Sequence, residues 1–558
     1  MTKLLGFGRH HAGDRSITAS LVLSALLFTS ASTFGQDPPP DPTPVADAPA
    51  PNADPQAAAD PSGGQILTQG PVHEAFATPI VHDPKDTPIV PKAPPDLIQE
   101  LAPDQKPAGH NVQWIPGYWG WDPTRNDYLW VSGIWRDPPP SSHWVPGYWH
   151  QVDGGYQWVA GSWMPMASAQ AQTVSQAPAQ PQATYLPAPP ASLENGPNSP
   201  QPNPNVAWTP GYWTWGTQGY AWRPGFWAAI QPNWIWIPPH YAWTPGGFLM
   251  VPGYWDLPVA TRGLMFAPVY YPQPVYAQPS FAFTPSITIT GSAITANLFV
   301  QASTNQYFFG DFYAQNYVSV GIVPWFSFSF ATGPPVYYDP LFSFYAVVNI
   351  RQNPRWIVET RQTYVLRQQN IALRPPRTYL EQTRLVERNA MLSREMGAFD
   401  HRAMGMPLAR LAADRNMKLE RVSQAERQQI RQQVAQLHQV REARFRQERE
   451  SARSGPLDRP RTVNMPHSPV AAHPAGHPNA NMAGHPGAHP TPHAAGHPAA
   501  GGEARAEVAR RPESMLQRSE GGRTPGAAAG RPAARPEPRA PAARTRPARA
   551  EERERRVP

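Results

Sequence analysis

The sequence predicts a mainly β protein. Two Trp-rich antiparallel β-meander repeat blocks come first, then a further β-rich region, then C-terminal α-helices, with disordered tails. Three observations carry this. A Trp-x-x-Gly-x-Trp motif recurs in two blocks between Trp114 and Trp255, at fourteen-residue steps except for sixteen between the first two units. The stretch after it is aromatic, β-branched and almost free of charge. Helix-start signals then appear beyond residue 350. A fixed short period means one small unit repeated, not a catalytic constellation gathered from distant positions.

Residues 1–35 read as an export signal. Lys3, Arg9 and Arg15 form a basic region, Ile17 to Phe28 an apolar stretch, and small residues follow, with cleavage expected after Ala31 or Gly35. The apolar stretch is short for a membrane span, and no later segment is long and apolar enough to be one. The expected location is therefore secreted, periplasmic or cell-surface associated, with no span left after signal cleavage. Residues 36–110 are rich in Pro, Asp and Ala and read as a disordered, semi-stiff linker. His73-Glu74 lacks the second His that a zinc-protease motif needs four residues on, where Ala77 stands.

The first repeat block covers 111–163 and the second 206–258, separated by a Gln/Ala/Pro-rich linker over 164–205. Six full units start at Trp114, Trp130, Trp144, Trp158, Trp208 and Trp222, and two degenerate ones at Trp236 and Met250 keep the phase. An aromatic often precedes the first Trp by two residues, as at Tyr128, Tyr156 and Tyr220, which places both on one face of a strand. Pro-Gly inside several units, as at Pro146-Gly147 and Pro210-Gly211, predicts a bulge or tight bend. Asp153-Gly154-Gly155 and Gly216 to Gly219 are hairpin signals between units. Four strands per block, one motif each, follow from this spacing.

Residues 259–350 form a non-repetitive aromatic β-rich region. Ser286 to Thr290 alternates, and Tyr307–Tyr313, Tyr317–Val323 and Trp325–Phe330 are strand-like runs. Residues 351–452 are helical. Asn353-Pro354 reads as a helix start, and Thr378–Glu381 and Ser423–Glu426 as capping boxes. The last helix places Ile430, Val434, Leu437 and Val440 on one face. Its remainder is charged, so it is expected to project into solvent or pair weakly. Residues 453–558 are a disordered tail, first His/Pro-rich, then Arg/Pro/Ala-rich.

Composition excludes several chemistries. The chain has 558 residues and no Cys, so disulfides, thiolate metal sites and cysteine nucleophiles are absent. The formal net charge is +7, with 42 Arg to 5 Lys. The excess sits largely in the tail, and an exported chain has little access to nucleic acid. No phosphate loop, dinucleotide fingerprint or nucleophile elbow occurs. Between 195 and 358 only Asp256, Asp311 and Asp339 are acidic, and none is assigned a catalytic role.

Eighteen of the twenty Trp lie between 114 and 255. Most are expected to be core, since stacked Trp bury large areas in a small sheet. Trp121, Trp149, Trp215 and Trp227 are the candidates for ligand stacking. His473, His477, His485, His489, His493 and His497 recur at four- and eight-residue steps and are weak candidates for metal binding, without a fixed geometry.

Tyr128–Trp135, Tyr156–Trp163 and Tyr220–Trp227 resemble the YXWGXW (WXXGXW) repeat of exported bacterial proteins. Tyr307–Tyr313 with Pro324–Ser327 also resembles a block in larger proteins that carry these repeats. The similarity covers roughly residues 110–380. It implies no activity, no cofactor and no catalytic residues. The unit at Trp236 departs from the pattern, with Pro239 for Gly and Tyr241 for Trp. The expected function is that of an exported, non-enzymatic structural or adhesive envelope protein. The alternatives are a cell-wall or polysaccharide-binding module using exposed Trp, and a His-tract metal buffer. Expected partners are cell-wall polysaccharide or another envelope protein.

Overall fold

In a computed structural model of the chain, the described residues are 63–109, 111–166, 181–330, 334–390 and 403–472. The export signal, the His473–His497 tract and the Arg-rich tail lie outside them. The described residues are strand-rich and antiparallel but for the pairing of Gln99–Glu100 with Ala282–Phe283, with the longer helices toward the C-terminal side, as the sequence predicts.

The repeats pair two by two. Units one and two form hairpin 1 (113–136), three and four hairpin 2 (142–165), five and six hairpin 3 (206–229), and seven and eight hairpin 4 (235–256). No ladder joins one of these hairpins to the next. Each block is thus two kinked hairpins. The kink arises where the ladder breaks on both strands at once. In hairpin 1, Ile115 faces Ile134 and Tyr118 faces Val131, so Pro116-Gly117 and Ser132-Gly133 make no ladder pair. A unit therefore turns a corner at its Gly instead of running straight as one strand.

The motif spacing follows from this geometry. The first Trp of each unit opposes the second Trp of its partner: Trp114 faces Trp135, and Trp119 faces Trp130, with ring centroids 5.1 and 5.3 Å apart, edge to face. The same pairing recurs at Trp144–Trp163, Trp149–Trp158, Trp208–Trp227, Trp213–Trp222 and Trp236–Trp255. Such contacts add about 0.5–1.5 kcal/mol each beyond area burial. The Gly is required by close approach, not by its dihedral freedom. A Cβ at Gly161 would lie 2.5 Å from Cζ2 of Trp144, and one at Gly147 2.5 Å from Cζ2 of Trp158. In hairpins 1 to 3 the first indole of each unit lies over the glycine of the other.

Segments read as linkers are part of this architecture. Residues 63–109 were expected to be disordered, yet Leu67, Val72, Ala75 and Phe76 are fully buried. Val72 and Phe76 sit in the largest core with Trp144, Trp163, Phe299, Tyr307 and Trp325. The segment adds short strands to the sheets, Gln65–Ile66 on Val269–Tyr270 and Gly70–Pro71 on Phe308–Phe309 among them, and proline is tolerated in such edge positions. In the second linker, Gln182–Leu186 pairs with Gly247–Val251 on one side and with Arg461–Asn464, from the expected tail, on the other. Val470 of that tail is buried, and its carbonyl accepts from Trp144 N–H.

Seven α-helices are present among the described residues: α1 Gly291–Ala296, α2 Gln315–Ser319, α3 Pro340–Gln352, α4 Trp356–Gln369, α5 Tyr379–Ala390, α6 Leu408–Asp414 and α7 Gln424–Arg453. The β-rich region is mixed: Ile287–Ile289 and Gln306–Phe309 are strands, but Tyr317 lies in α2 and Ser327–Phe330 is a 3-10 turn. Asn353 does not cap directly; α4 starts after Arg355, whose N–H it accepts. Both capping boxes form their Ser/Thr half, with Glu381 N–H on Thr378 Oγ1 and Glu426 N–H on Ser423 Oγ. The Glu381 carboxylate returns to Thr378 N–H, whereas that of Glu426 pairs with Lys106. Helix α7 does not project. It buries Ile430, Leu437 and Val440, and it also buries Arg444 and Glu448 against hairpin 2.

Gly161→Ala is expected to destabilise the fold by about 1–3 kcal/mol through overpacking against Trp144. Gly216→Ala, where the nearest atom is 3.8 Å away, should stay within about 0.5 kcal/mol. Denaturant melts of the two variants check the contrast.

Candidate functional site

A broken ladder leaves N–H groups that need partners once they are buried. In hairpins 1 and 2 a buried glutamate takes both glycine N–H groups, and in hairpin 3 one of them. Glu100 accepts from Gly117 N–H at 2.6 Å, Gly133 N–H at 2.8 Å and Trp130 Nε1 at 3.0 Å. Glu74 accepts from Gly147 N–H at 3.1 Å, Gly161 N–H at 3.0 Å and Trp158 Nε1 at 3.2 Å. Glu194 accepts from Gly211 N–H at 2.5 Å and Trp208 Nε1 at 3.0 Å. Each carboxylate thus ties the kink of its hairpin to one of the first-position indoles. In hairpin 4, Pro239 replaces a motif glycine and has no N–H, so half of the donor pair is missing.

Burial pushes Glu100 and Glu74 up to about 7, against the opposing pull of their N–H donors. At hairpin 2 the same peptides are gripped from the other side. Arg444 donates to the carbonyls of Pro146 and Ala160, the residues before Gly147 and Gly161, at 3.0 and 2.9 Å. Two peptide groups therefore lie between a carboxylate and a guanidinium. Arg444 is completed by Glu448 at 2.8 Å, which also accepts from Tyr148 and Tyr185 hydroxyls at 2.5 and 2.7 Å. At hairpin 1 the Pro116 carbonyl lies 3.1 Å from His73 Nε2. His73 Nδ1 accepts from Ala75 N–H, so the proton sits on Nε2. Burial holds this imidazole down to about 4.

The predicted stacking residues divide. Trp121 and Trp149 are half-buried and line one cleft of about 290 Å³, with Trp158, Tyr118 and the segment Thr87–Pro91. Trp121 lies edge to face with Tyr128 at 5.0 Å, and Trp149 sits between Tyr128 and Trp158. Trp215 and Trp227 are also half-buried but sit apart on hairpin 3, against Tyr220 and Trp208 respectively. The three acidic residues between 195 and 358 are structural partners. Asp256 bridges Arg136 and Arg262 at 2.6 and 3.1 Å. Asp311 pairs with Arg377 at 2.8 Å, and Asp339 caps α3 and accepts from Tyr307 hydroxyl. Among the described residues no cluster of His, Asp and Glu has the arrangement of a metal site. No described helix is long and apolar enough to cross a membrane.

The residues that organise the hairpins, Glu74, Glu100 and Glu194, were not read from the sequence. A signal for two of them exists: Glu100 and Glu194 each stand fourteen residues, one repeat, before the first Trp of their hairpin, Trp114 and Trp208.

This is a protein of paired, kinked Trp hairpins. The family model of the WXXGXW repeat, in a form spanning two copies, matches residues 109–136, 143–164, 203–228 and 232–255, one match per hairpin. The repeat match covers the four hairpins and leaves the rest of the chain outside it. No curated protein and no solved structure matches it.

Glu100→Ala leaves three buried donors unpaired and is expected to destabilise the chain by about 3 kcal/mol or more, at about 1–3 kcal/mol per group, measured by chemical denaturation. The pH dependence has a defined sign. A carboxyl raised from 4.5 to about 7 in the fold contributes stability that is full below the lower value and is lost as pH rises through the upper one. The stability difference between wild type and Glu100→Gln should therefore shift against wild type from about pH 5 to about pH 8. A difference that moves in wild type's favour over that window contradicts the assignment.

Proposed function

We propose that the chain is an exported, non-enzymatic structural or adhesive protein of the cell envelope, with the four Trp hairpins as its rigid framework. One observation carries this reading: the residue types that suggest chemistry are engaged in holding the fold. Glu74, Glu100 and Glu194 bind glycine N–H groups and indoles. Asp256, Asp311 and Asp339 bind arginines or a helix end. The arrangement favours shape and stiffness over turnover. In the cells that make it, crosslinking of the tagged full chain should recover it with envelope components. Recovery in the cytoplasmic fraction alone contradicts the proposal.

A second reading, glycan binding, is favoured by the cleft that brings Trp121 and Trp149 together. Immobilised full-length chain should then retain peptidoglycan or another envelope polysaccharide. Retention of no polymer removes this reading and leaves the first intact.

A further inference from the structure

The cleft beside Trp121 and Trp149 has a chemical character that narrows its ligand. Hairpin 1 supplies Trp121 and Asn126, hairpin 2 supplies Trp149, and the turn between Leu298–Gln301 and Gln306–Phe309 supplies Thr304 and Gln306. None of the residues lining it is charged. An anionic ligand would lose its water there without a counter-charge, which is costly. A purely apolar ligand would leave the amides and hydroxyl without partners.

The polar rim has capacity to offer. Thr304 donates to Gln301 Oε1 at 2.9 Å, which fixes that turn. Gln306 makes one long bond, 3.4 Å from Nε2 to the Tyr118 hydroxyl, and its amide oxygen faces no donor among the described residues. Asn126 stands exposed at the tip of hairpin 1. The other wall is apolar, with Ile89 half exposed beside Pro88 and Pro91. A volume of about 290 Å³ lies at the lower end of ligand pockets, about 300 Å³ upward. A sugar ring meets both demands: its C–H face lies on indole, and its hydroxyls exchange hydrogen bonds with amides.

We propose that this cleft binds an uncharged oligosaccharide segment, with Trp121 and Trp149 as the apolar platform and Asn126 and Gln306 as the polar selectors. The proposal rests on the glycan-binding reading and assigns it a site and a ligand charge.

The test is calorimetric titration of the full chain with chitotriose and cellotetraose as neutral probes and trigalacturonate as the acidic one. Saturable binding of a neutral probe is expected, with Trp121→Ala weakening it at least about tenfold. The double variant Asn126→Gly/Gln306→Ala, with glycine because Asn126 has φ +50°, should weaken it several-fold, and its thermal melt should stay close to wild type, which keeps the test valid if Trp121→Ala misfolds. Three results overturn the proposal: no neutral probe binds, the acidic probe binds as tightly as the neutral ones, or the rim variant binds as wild type does. Polymer retention that persists with a silent cleft overturns this site and leaves the glycan-binding reading. Loss of both overturns that reading itself.

Discussion

The first repeat block depends on a glutamate that accepts two glycine N–H groups at the corner of each hairpin, and hairpin 3 keeps half of that arrangement through Glu194 and Gly211. A β-ladder that breaks on both strands at once exposes donors in the interior, where each unpaired group costs about 1–3 kcal/mol. Glu100 and Glu74 remove that cost for hairpins 1 and 2 and fix one indole of each pair at the same time. The corner lets each unit present two Trp to its partner instead of one. It also requires glycine, because the partner's indole occupies the space of a Cβ. The motif Trp-x-x-Gly-x-Trp is therefore a packing rule for pairs, and a single unit has no meaning alone.

The clasp also explains how distant parts of the chain are joined. Glu74 and Glu100 come from the Pro-rich segment ahead of the repeats, and Arg444 comes from α7 near the far end of the described chain. At hairpin 2, carboxylate and guanidinium hold opposite ends of the same two peptides. The guanidinium has its own counter-charge in Glu448, so removing Glu74 leaves the glycine N–H groups unpaired, whereas removing Glu448 leaves the Arg444 charge buried without its counterpart, the costly case for a buried pair. Arg136, Arg262 and Asp256 tie hairpin 1 to hairpin 4 by a second such network.

Local signals were legible and long-range ones were not. The fourteen-residue phase, the strand character of the units and the capping boxes at Thr378 and Ser423 depend on near neighbours, and the sequence displays them. Residues 63–109 carry Pro in quantity, but Val72 and Phe76 belong to the main core, which composition over a window conceals. The charged face of α7 looked solvated because the partners of Arg444 are backbone carbonyls some 300 positions away. Of the candidate Trp, that Trp121 and Trp149 share a cleft depends on the contact between two hairpins, which no repeat phase contains.

The carboxylate clasp is tested most directly by amide hydrogen exchange at the motif glycines of wild type and Glu100→Ala. The account predicts slow exchange at Gly117, Gly133, Gly147 and Gly161 in wild type, and in the variant fast exchange at Gly117 and Gly133 alone. Unchanged protection at Gly117 and Gly133 in the variant would contradict it.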